Sequence, residues 1–373
     1  MKINEYFKFS ILIVIILAST YIYGCGKSPV ASSSSSGGSS GSTSSSWESL
    51  AGGMDKPVNS IAFDKAGNLY AGGTFTKAGV ITVSNIAKWD GTKWDPMIGG
   101  TNGTVNFVIG DDLGNVFVCG NFTSAGGVAV TNIARWKITS SWEALGDPGG
   151  EVTKMFLLGP NYYILVSGCR YVKKWDSATS AWVRATDDVD SPLYDIAVTS
   201  SGNIYAGGAM LSDMTGTLLN KIGYWNGTSW ESMDSGADNY VNRVMLAGST
   251  LYAGGVFKFV GSSSLEANKI AKWSGSSWEA MGTGLDNSIL ALCSDTSGNI
   301  YAGGMFNNAG STEAKKIAKW DGARWAQVGD GFGATSDMNA VRSIAFNNSG
   351  KLYAAGDFVA AGGATVNYIA KLK

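Results

Sequence analysis

A motif of about 47 residues recurs seven times between Trp47 and the end of the chain. Each copy contains a Y-A-G-G segment, an I-A-K-W segment and a W-x-x-[LM] segment, or variants of these. Aligned on the first segment, the copies fall at Tyr70, Phe117, Tyr163, Tyr205, Tyr252, Tyr301 and Tyr353. This period, with four short β-type segments separated by Asp/Asn/Gly turns, is typical of a propeller blade. The sequence therefore predicts an all-β fold, a seven-bladed β-propeller with four-stranded blades.

The two ends of the repeat region indicate how the ring closes. The region begins with an isolated W-x-x-L segment at Trp47 and ends after an I-A-K-L segment at Leu372, so the last copy lacks its fourth strand. We expect the N-terminal strand to pair with the C-terminal blade, because this pairing completes the blade and removes open sheet edges at the seam.

The composition excludes several classes of function. The chain has no His, which removes Ser-His-Asp and Cys-His catalytic groups and His-ligated metals. The 28 Lys and Arg are balanced by 29 Asp and Glu, so no basic surface for nucleic acid is indicated. Cys119, Cys169 and Cys293 show no metal-site spacing. We expect these thiols to be unpaired and buried, with a Cys119–Cys169 bridge as the alternative, and we predict no metal and no cofactor.

The N-terminal segment predicts export. Residues 1–25 combine Lys2 and Lys8 with an apolar stretch and end at Ile22-Tyr23-Gly24-Cys25, which resembles a bacterial lipobox whose Cys is lipidated. Tyr23 is bulkier than the residue usual at its position, and an uncleaved membrane anchor or ordinary secretion are the alternatives. Residues 26–46 form a Ser/Gly-rich tether, and residues 47–373 form the propeller. The predicted address is the bacterial cell envelope, lipid-anchored to the outer membrane or cell surface.

The repeat segments resemble a known family. W-x-x-[LM]-G-x-G, Y-A-G-G-x-F-x-x-A-G and N-x-I-A-K-W-[DN]-G-x-x-W are similar to the blades of kelch and galactose-oxidase-like propellers, including repeats of bacterial surface proteins, over residues 47–373. The resemblance implies a propeller fold. It does not imply the copper chemistry of galactose oxidase, which uses His and Tyr ligands, because this chain has no His.

The connections between strands differ in length, which predicts two unlike faces. With strands a to d running outward from the axis, the a–b and c–d turns are tight and share one face. The b–c and d–a connections are longer, for example 75–85, and share the other face. Binding residues usually lie on longer loops held by a rigid frame. We expect the tether to enter on the tight-turn face, so that the long-loop face points away from the membrane.

Two sets of charged residues repeat from blade to blade. The d–a loops carry Asp55, Asn102, Asp190, Asp238, Asp286 and Asp337. They predict either caps on backbone amides in repeated turns or an acidic site for Ca²⁺, and their repetition favours the caps. The basic residues before the strand c Trp, or its substitute, are Lys88, Arg135, Lys174, Lys272, Lys319 and Lys371, and we expect their stems to lie along the blade surfaces.

Residues that differ between copies are the candidates for recognition, because residues shared by all copies build the scaffold. The second and third positions of strand a are predicted to line the axial opening on the long-loop face. The candidate ligand-binding residues are Asn59, Asn106, Thr153, Lys154, Tyr194, Asp195, Asn242, Arg243 and Arg342. Blade 3 also lacks the b–c loop and has Gly168-Cys169-Arg170 in its place.

The sequence thus favours a monomeric, lipid-anchored binding module that recognises a protein or glycan through the long-loop face without catalysis. Two alternatives remain open. One is a glycan hydrolase or lyase that uses Asp/Glu pairs at the axial opening, and the other is a structural envelope protein without a small ligand.

Replacing Cys25 by Ala is expected to abolish lipid labelling of the chain, because acylation at a lipobox requires the Cys thiol. Metabolic labelling with a fatty-acid analogue measures this. The Cys119→Ala variant is the control for loss of a thiol elsewhere, and it should be labelled normally. Continued labelling of the Cys25→Ala chain would refute the lipobox interpretation.

Overall fold

The computed structural model describes residues 46–333 and 339–373. The predicted signal peptide, Cys25, the tether up to residue 45 and Asp337 lie outside the described residues. Within them every regular element is a β-strand, and none forms a helix that could span a membrane. Seven four-stranded antiparallel sheets follow one another along the chain, and the first strands of successive sheets contact each other around a ring. The seven-bladed β-propeller is confirmed.

The blades are numbered in chain order, and strands a to d run outward in each. Their bounds are Val58–Phe63, Leu69–Gly73, Ile86–Trp89 and Trp94–Asp95 in blade 1; Thr104–Gly110, Val116–Asn121, Ile133–Trp136 and Trp142–Ala144 in blade 2; Val152–Leu158, Asn161–Val166, Lys173–Asp176 and Ala181–Arg184 in blade 3; and Leu193–Val198, Ile204–Gly208, Ile222–Trp225 and Trp230–Ser232 in blade 4. The bounds are Val241–Ala247, Thr250–Gly255, Ile270–Trp273 and Trp278–Ala280 in blade 5, and Ile289–Ser294, Ile300–Gly304, Ile317–Trp320 and Trp325–Gln327 in blade 6. Blade 7 consists of Val341–Phe346, Leu352–Gly356, Ile369–Leu372 and, as strand d, the N-terminal Trp47–Ser49.

The ring closes as the sequence predicts. The N-terminal strand Trp47–Ser49 pairs antiparallel with the last strand of the chain, with Trp47 opposite Leu372. Trp47 is 1% exposed and packs on Phe332 with ring centroids 4.6 Å apart. Next to this strand, the backbone N–H and the hydroxyl of Ser46 both donate to the carboxylate of Asp330. These contacts cover what would otherwise be an exposed edge in blade 7.

In blades 1 to 6, the tryptophan side chain of strand d joins its blade to the one before it. Trp94 donates its indole N–H to Leu50 O at 3.0 Å, and Trp142 donates to Met97 O at 3.0 Å. The same bond runs from Trp182 to Leu145 O, Trp230 to Asp187 O, Trp278 to Met233 O and Trp325 to Met281 O. Because the indoles are buried, each bond satisfies a donor that would otherwise be costly. The repeated W-x-x-[LM] segment therefore supplies both donor and, in most blades, acceptor.

The first Gly of each Y-A-G-G segment makes room for the following blade. A Cβ at Gly303 would lie 2.6 Å from Val341 Cγ1, and one at Gly207 would lie 2.6 Å from Val241 Cγ1. From the sequence alone, a pair of glycines in this strand predicts that large side chains press close to the backbone, and the Trp and Tyr rings of the adjacent blade are the expected neighbours. That expectation is wrong, because the apolar first residue of the next strand a occupies the space instead. A side chain at the glycine would push two blades apart.

The long b–c connections fold into short hairpins instead of irregular loops. Their paired segments are Lys77–Ala78 with Ile81–Thr82, Ser124–Ala125 with Val128–Ala129, Phe259–Val260 with Leu265–Glu266, Asn308–Ala309 with Thr312–Glu313, and Ala360–Ala361 with Ala364–Thr365. In blade 4 a single bridge joins Ser212 and Leu218. Blade 3 turns from strand b to strand c through Gly168-Cys169-Arg170 without such a hairpin.

Deleting residues 47–52 is expected to lower the melting temperature by about 10 °C or more and to promote association, because it removes the buried Trp47 and exposes the edge at Leu372. Thermal unfolding and size-exclusion chromatography measure the two effects. Deleting residues 27–45 is the control, since that segment precedes the closing strand, and it should leave the melting temperature unchanged. An unchanged melt after deletion of 47–52 would contradict the closure.

Candidate ligand-binding face

A repeated backbone irregularity positions the predicted ligand-binding residues. In all seven blades the pairing of strand a with strand b shifts near the start of strand a, for example between Val58 and Ser60 and between Val241 and Arg243. The residue between the two, which is the second of strand a in six blades and the third in blade 2, is therefore a β-bulge without a partner in strand b. The bulge brings the candidates Asn59, Asn106, Thr153, Tyr194, Asn242 and Arg342 to equivalent places around the ring.

Three of the predicted candidates bind the neighbouring blade. The side-chain amide of Asn59 donates to Val105 O at 2.9 Å, and that of Asn242 donates to Ile289 O at 3.2 Å. Asn106 donates to Glu151 Oε1 at 2.7 Å and to Val152 O at 3.3 Å. The hydroxyl of Thr153 donates to Leu165 O in its own blade at 3.3 Å. These amides therefore join blades, and they offer less to a ligand than the sequence suggested.

The remaining charged candidates form an axial cluster, which we define as Lys154, Asp195, Arg243, Arg342 and Asp357. Lys154 Nζ lies 3.3 Å from Asp195 Oδ1 and 4.5 Å from the centroid of the Phe107 ring. Asp195 is 2% exposed and also accepts the backbone N–H groups of Ile196 and Val244. Arg342 Nε donates to Asp357 Oδ1 at 2.8 Å. The cluster thus holds three cations and two carboxylates.

Burial sets the protonation behaviour of this cluster. It lowers the pKa of the Lys154 ammonium to about 8; Asp195 opposes this shift and Arg243 adds to it. Burial also lowers the pKa of Arg243, with Asp195 opposing and Arg342 adding to the shift. The cations in blades 3, 5 and 7 are therefore close enough to repel one another, which is unfavourable in a poorly hydrated site.

The repeated acids of the d–a loops cap backbone amides, as their repetition favoured. Asp55 Oδ1 accepts the N–H groups of Thr76 and Lys77 at the start of the blade 1 hairpin. Asn102, Asp190, Asp238 and Asp286 accept the equivalent N–H groups in blades 2, 4, 5 and 6. Such bonds lower the pKa of Asp55, although its partial burial opposes them. In the described part of the chain, no three His, Cys, Asp or Glu side chains cluster as metal ligands would.

Three of the six basic residues of strand c pair with acids across to strand d. Lys272 Nζ contacts Glu279 Oε2 at 2.8 Å, Lys371 Nζ contacts Glu48 Oε1 at 2.6 Å, and Arg135 contacts Glu143. Each pair joins residues directly opposite in the register. They lie on the outer part of the blades and contribute little individually because they are partly exposed.

Two residues of the face escaped the sequence analysis. Asp357, the partner of Arg342, directly follows the last glycine of strand b in blade 7. Blades 1, 2, 4, 5 and 6 have an uncharged residue at this position, so a charge found in one blade was the signal that the sequence offered. Tyr240 precedes strand a of blade 5, is 38% exposed, and meets Tyr194 with ring centroids 6.0 Å apart. Its position outside the repeated segments hid it.

Exposed apolar side chains gather on the same face. Ten large apolar side chains are exposed among the described residues, and seven lie in b–c hairpins or d–a loops: Val80, Ile98, Val128, Leu211, Met214, Leu218 and Tyr240. Leu113 and Ile138 lie in tight turns of the opposite face, and Val183 lies on strand d of blade 3. Blade 4 contributes three of the seven, beside blade 3, which lacks a hairpin.

All three described cysteines are free, as expected, but only Cys119 is fully buried. Cys119 is buried and donates its Sγ–H to Met155 Sδ, while Cys169 and Cys293 are partly buried. Burial raises the pKa of Cys119 and of Cys293, so both thiols stay protonated and unreactive.

Several solved structures share this propeller architecture. The extracellular domain of the putative one component system BT4673 from B. thetaiotaomicron matches with a TM-score of 0.58 and 13% identity, covering 88% of this chain. This chain spans 40% of the length of that protein chain. The WD40 β-propeller domain of Doa1 has a TM-score of 0.57 and 12% identity over 88% of this chain and 96% of that one. YCF48 bound to D1 peptide has a TM-score of 0.56 and 14% identity over 88% and 97%.

These similarities establish the propeller architecture. Searches with protein-family models and against curated proteins give no match. The resemblance to kelch and galactose-oxidase-like proteins is therefore not confirmed beyond the shared fold, and function must be argued from the chain's own residues.

The stability of the chain relative to a Lys154→Met variant is expected to rise by about 2–3 kcal/mol between pH 7 and pH 10. The folded-state pKa of Lys154 is about 8, below the ordinary value of 10.5, so between these values the unfolded chain binds more protons and a rise in pH favours folding. Urea unfolding of both chains at the two pH values measures the difference. Lys258→Met, which removes a half-exposed lysine from the rim, controls for loss of a positive charge. A difference that stays constant with pH would contradict the prediction.

Proposed function

We propose that this chain is a lipid-anchored, non-catalytic binding module of the bacterial cell envelope that recognises a protein or glycan through its long-loop face. The observation that carries the proposal is the concentration of exposed apolar side chains on that face, seven of the ten in the described residues. Apolar side chains grouped on one surface and surrounded by polar residues are typical of interaction sites.

Two further observations support binding in preference to catalysis. Asp195 and Asp357, the carboxylates of the axial cluster, each contact a cation, whereas a glycan hydrolase needs one acid that can give up a proton and a second that remains a free carboxylate. The extracellular domain of BT4673, which has the same fold, is part of a putative one component system, a setting compatible with recognition outside the cell. The lipobox-like segment ending at Cys25 supplies the anchor in this proposal.

The proposal predicts that replacing Leu211, Met214 and Leu218 by Ser weakens binding of the full chain to its ligand by about tenfold or more, because about 1.5–3 kcal/mol accompanies burial of each such side chain. Binding to a glycan array and to immobilised envelope proteins is measured before and after the change.

The matched control replaces Leu113 and Ile138 by Ser on the tight-turn face, where equally exposed apolar side chains are removed. It should leave binding unchanged. Loss of binding in the control with retention in the first variant would place recognition on the other face and overturn the proposal. No binding by the unmodified chain to either set of targets would favour the structural alternative.

A further inference from the structure

The b–c hairpins are held against the preceding d–a loops by two backbone hydrogen bonds that recur around the ring. In the first, a hairpin glycine donates to a loop carbonyl, as Gly79 does to Gly53 O at 2.7 Å in blade 1. Blades 2, 5 and 6 repeat this bond through Gly126, Gly261 and Gly310. In the second, a loop N–H donates to a carbonyl of the b–c connection, and its donors are Asp55, Asn102, Asp190, Asp238 and Asp286. These loops therefore bind polypeptide backbone.

Blade 3 has neither the hairpin nor the residue that caps it. Eight residues after the strand d Trp, where the five loops above have Asp or Asn, the loop that leads into blade 3 has Gly150. Its N–H has no hairpin carbonyl to donate to, and it forms no other hydrogen bond within the described residues. The carbonyl of Pro148, which is equivalent to Gly53 O, accepts Lys173 Nζ at 2.6 Å. The Lys173 ammonium group therefore lies where a hairpin N–H lies in blade 1.

Lys173 is one of two cations that face each other across blade 3. It lies directly opposite Arg184 in the register of strands c and d, an arrangement that is unfavourable for like charges. Every other blade has a small, buried residue at the position of Lys173, and these residues are Ala87, Ala134, Gly223, Ala271, Ala318 and Ala370. In blades 2 and 5, both positions of the pair are occupied by Ala. The pair of cations is thus specific to the blade that lacks a hairpin.

We define the blade 3 notch as Pro148, Gly150, Tyr171, Lys173 and Arg184. The guanidinium carbon of Arg184 lies 4.2 Å from the centroid of the Tyr171 ring, and Lys173 Nζ lies 5.9 Å from it. The ring therefore has both cations beside it, and contacts between cations and an aromatic ring are favourable. The Arg184 side chain is 51% exposed, so the notch is open to solvent and to a partner.

The chain around the notch is positively charged. Residues 170–184 contain four Lys and Arg and one acid, Asp176. Val183 stands where strand d of blades 1, 2, 4, 5 and 7 has Asp or Glu. From the following loop, Asp188 Oδ1 lies 2.8 Å from Arg184 Nη2, whereas no carboxylate oxygen of the described residues lies within 4.0 Å of Lys173 Nζ. A partner that carries negative charge is therefore favoured.

The notch borders the exposed apolar side chains of blade 4. The carbonyl of Arg170, next to Tyr171, accepts the N–H of Val189 at 2.9 Å. Val189 in turn forms a β-bridge with Asp213 in the b–c connection of blade 4. The same connection carries the three exposed apolar side chains of that blade. A partner in the notch therefore lies beside the surface on which the proposed function depends.

We propose that the blade 3 notch binds an extended, acidic segment of a partner protein, which takes the place of the absent hairpin. This inference rests on the proposed function and narrows its ligand from a protein or glycan to a polypeptide. A backbone carbonyl of the segment accepts the Gly150 N–H, and its Asp or Glu side chains meet Lys173 and Arg184. A polypeptide is favoured over a glycan because the equivalent loop groups of the other blades bind hairpin backbone.

The test selects a phage-displayed library of random 12-residue peptides on the full chain. Peptides with two or more Asp or Glu residues are expected to be enriched. Fluorescence polarisation then measures the affinity of the selected peptides and of versions with Asn and Gln in place of the acids, which should bind about tenfold more weakly because they lack the charge. A selection that yields no peptide, or peptides whose affinity does not depend on their acids, would overturn the proposal.

The Lys173→Ala, Arg184→Ala double variant locates the site. It gives blade 3 the Ala pair of blades 2 and 5, so we expect it to fold, and it should weaken binding of the selected peptides about tenfold or more. The matched control is Lys319→Ala with Arg324→Ala, which removes two cations from strand c and the following turn of blade 6, where the hairpin is present. The control should bind the peptides as the unmodified chain does.

A second variant tests whether the peptide takes the place of a hairpin, and it keeps the proposal falsifiable if the double variant does not fold. Residues 168–173 are replaced by residues 122–134 of blade 2, and Gly150→Asn restores the cap that Asn102 provides there. The grafted hairpin should occupy the notch and abolish peptide binding although Arg184 is retained. Acidic peptides that bind either folded variant with unchanged affinity would contradict the proposal.

Failure of this inference is distinguishable from failure of the proposed function. If no acidic peptide binds at the notch, but the Leu211, Met214 and Leu218 replacements still weaken capture of another ligand, the long-loop face remains the recognition surface and only the notch is excluded. Glycan binding that is unchanged in the Lys173→Ala, Arg184→Ala variant, without any peptide binding, would likewise overturn the inference and leave the proposed function in place.

Discussion

The indole hydrogen bond between successive blades is the interaction on which the rest of the structure depends. A propeller has no single core; each blade packs its apolar face on the next, so the angle between blades must be held at every interface. Trp278, for example, fills the outer end of one interface and fixes its distance with a bond of 2.8 Å to Met233 O. The strand c Trp273 packs against it in a tilted arrangement with ring centroids 5.1 Å apart. Six interfaces repeat this contact, and at the seventh Trp47 packs on Phe332, so that seven similar sheets close into one ring.

A ring held in this way at its outer edge can vary at its axis. Some residues of strand a hold neighbouring blades together and others line the axial opening, and which residue does which differs from blade to blade. Asn59 and Asn242 donate their side-chain amides to the neighbouring blade, whereas Lys154 pairs with Asp195 and Arg243 donates to Asn242 O. In blade 6 the equivalent residue of strand a is the small, uncharged Ala291. The chemistry of the opening is thus set by substitutions that the outer Trp contacts tolerate.

The repeat predicted the fold because its period, its turns and its two ends each require the same ring. The axial site was only partly predictable. Their positions in strand a identified Arg243 and Arg342 as candidates. The bulge that turns Asn59 toward Val105 has no recognisable sequence pattern, so it could not be predicted. The neighbours of the Gly pairs were wrongly expected to be aromatic, because contacts between blades depend on how two sheets are offset. Asp357 is a charge that occurs in one copy of the repeat, and its role as the partner of Arg342 became clear only from the contact between them in the structure.

The closing strand has a mechanical consequence. It is three residues long, and it is also the first part of the folded domain that a pull on the N-terminus reaches. Force applied there is borne by the pairing of Trp47 with Leu372 and by the Ser46–Asp330 contacts before any other blade carries load. The ring would open at blade 7 and leave the other six blades paired. Under tension between the N-terminal attachment and a bound ligand, the seam is therefore the first part of the domain to separate.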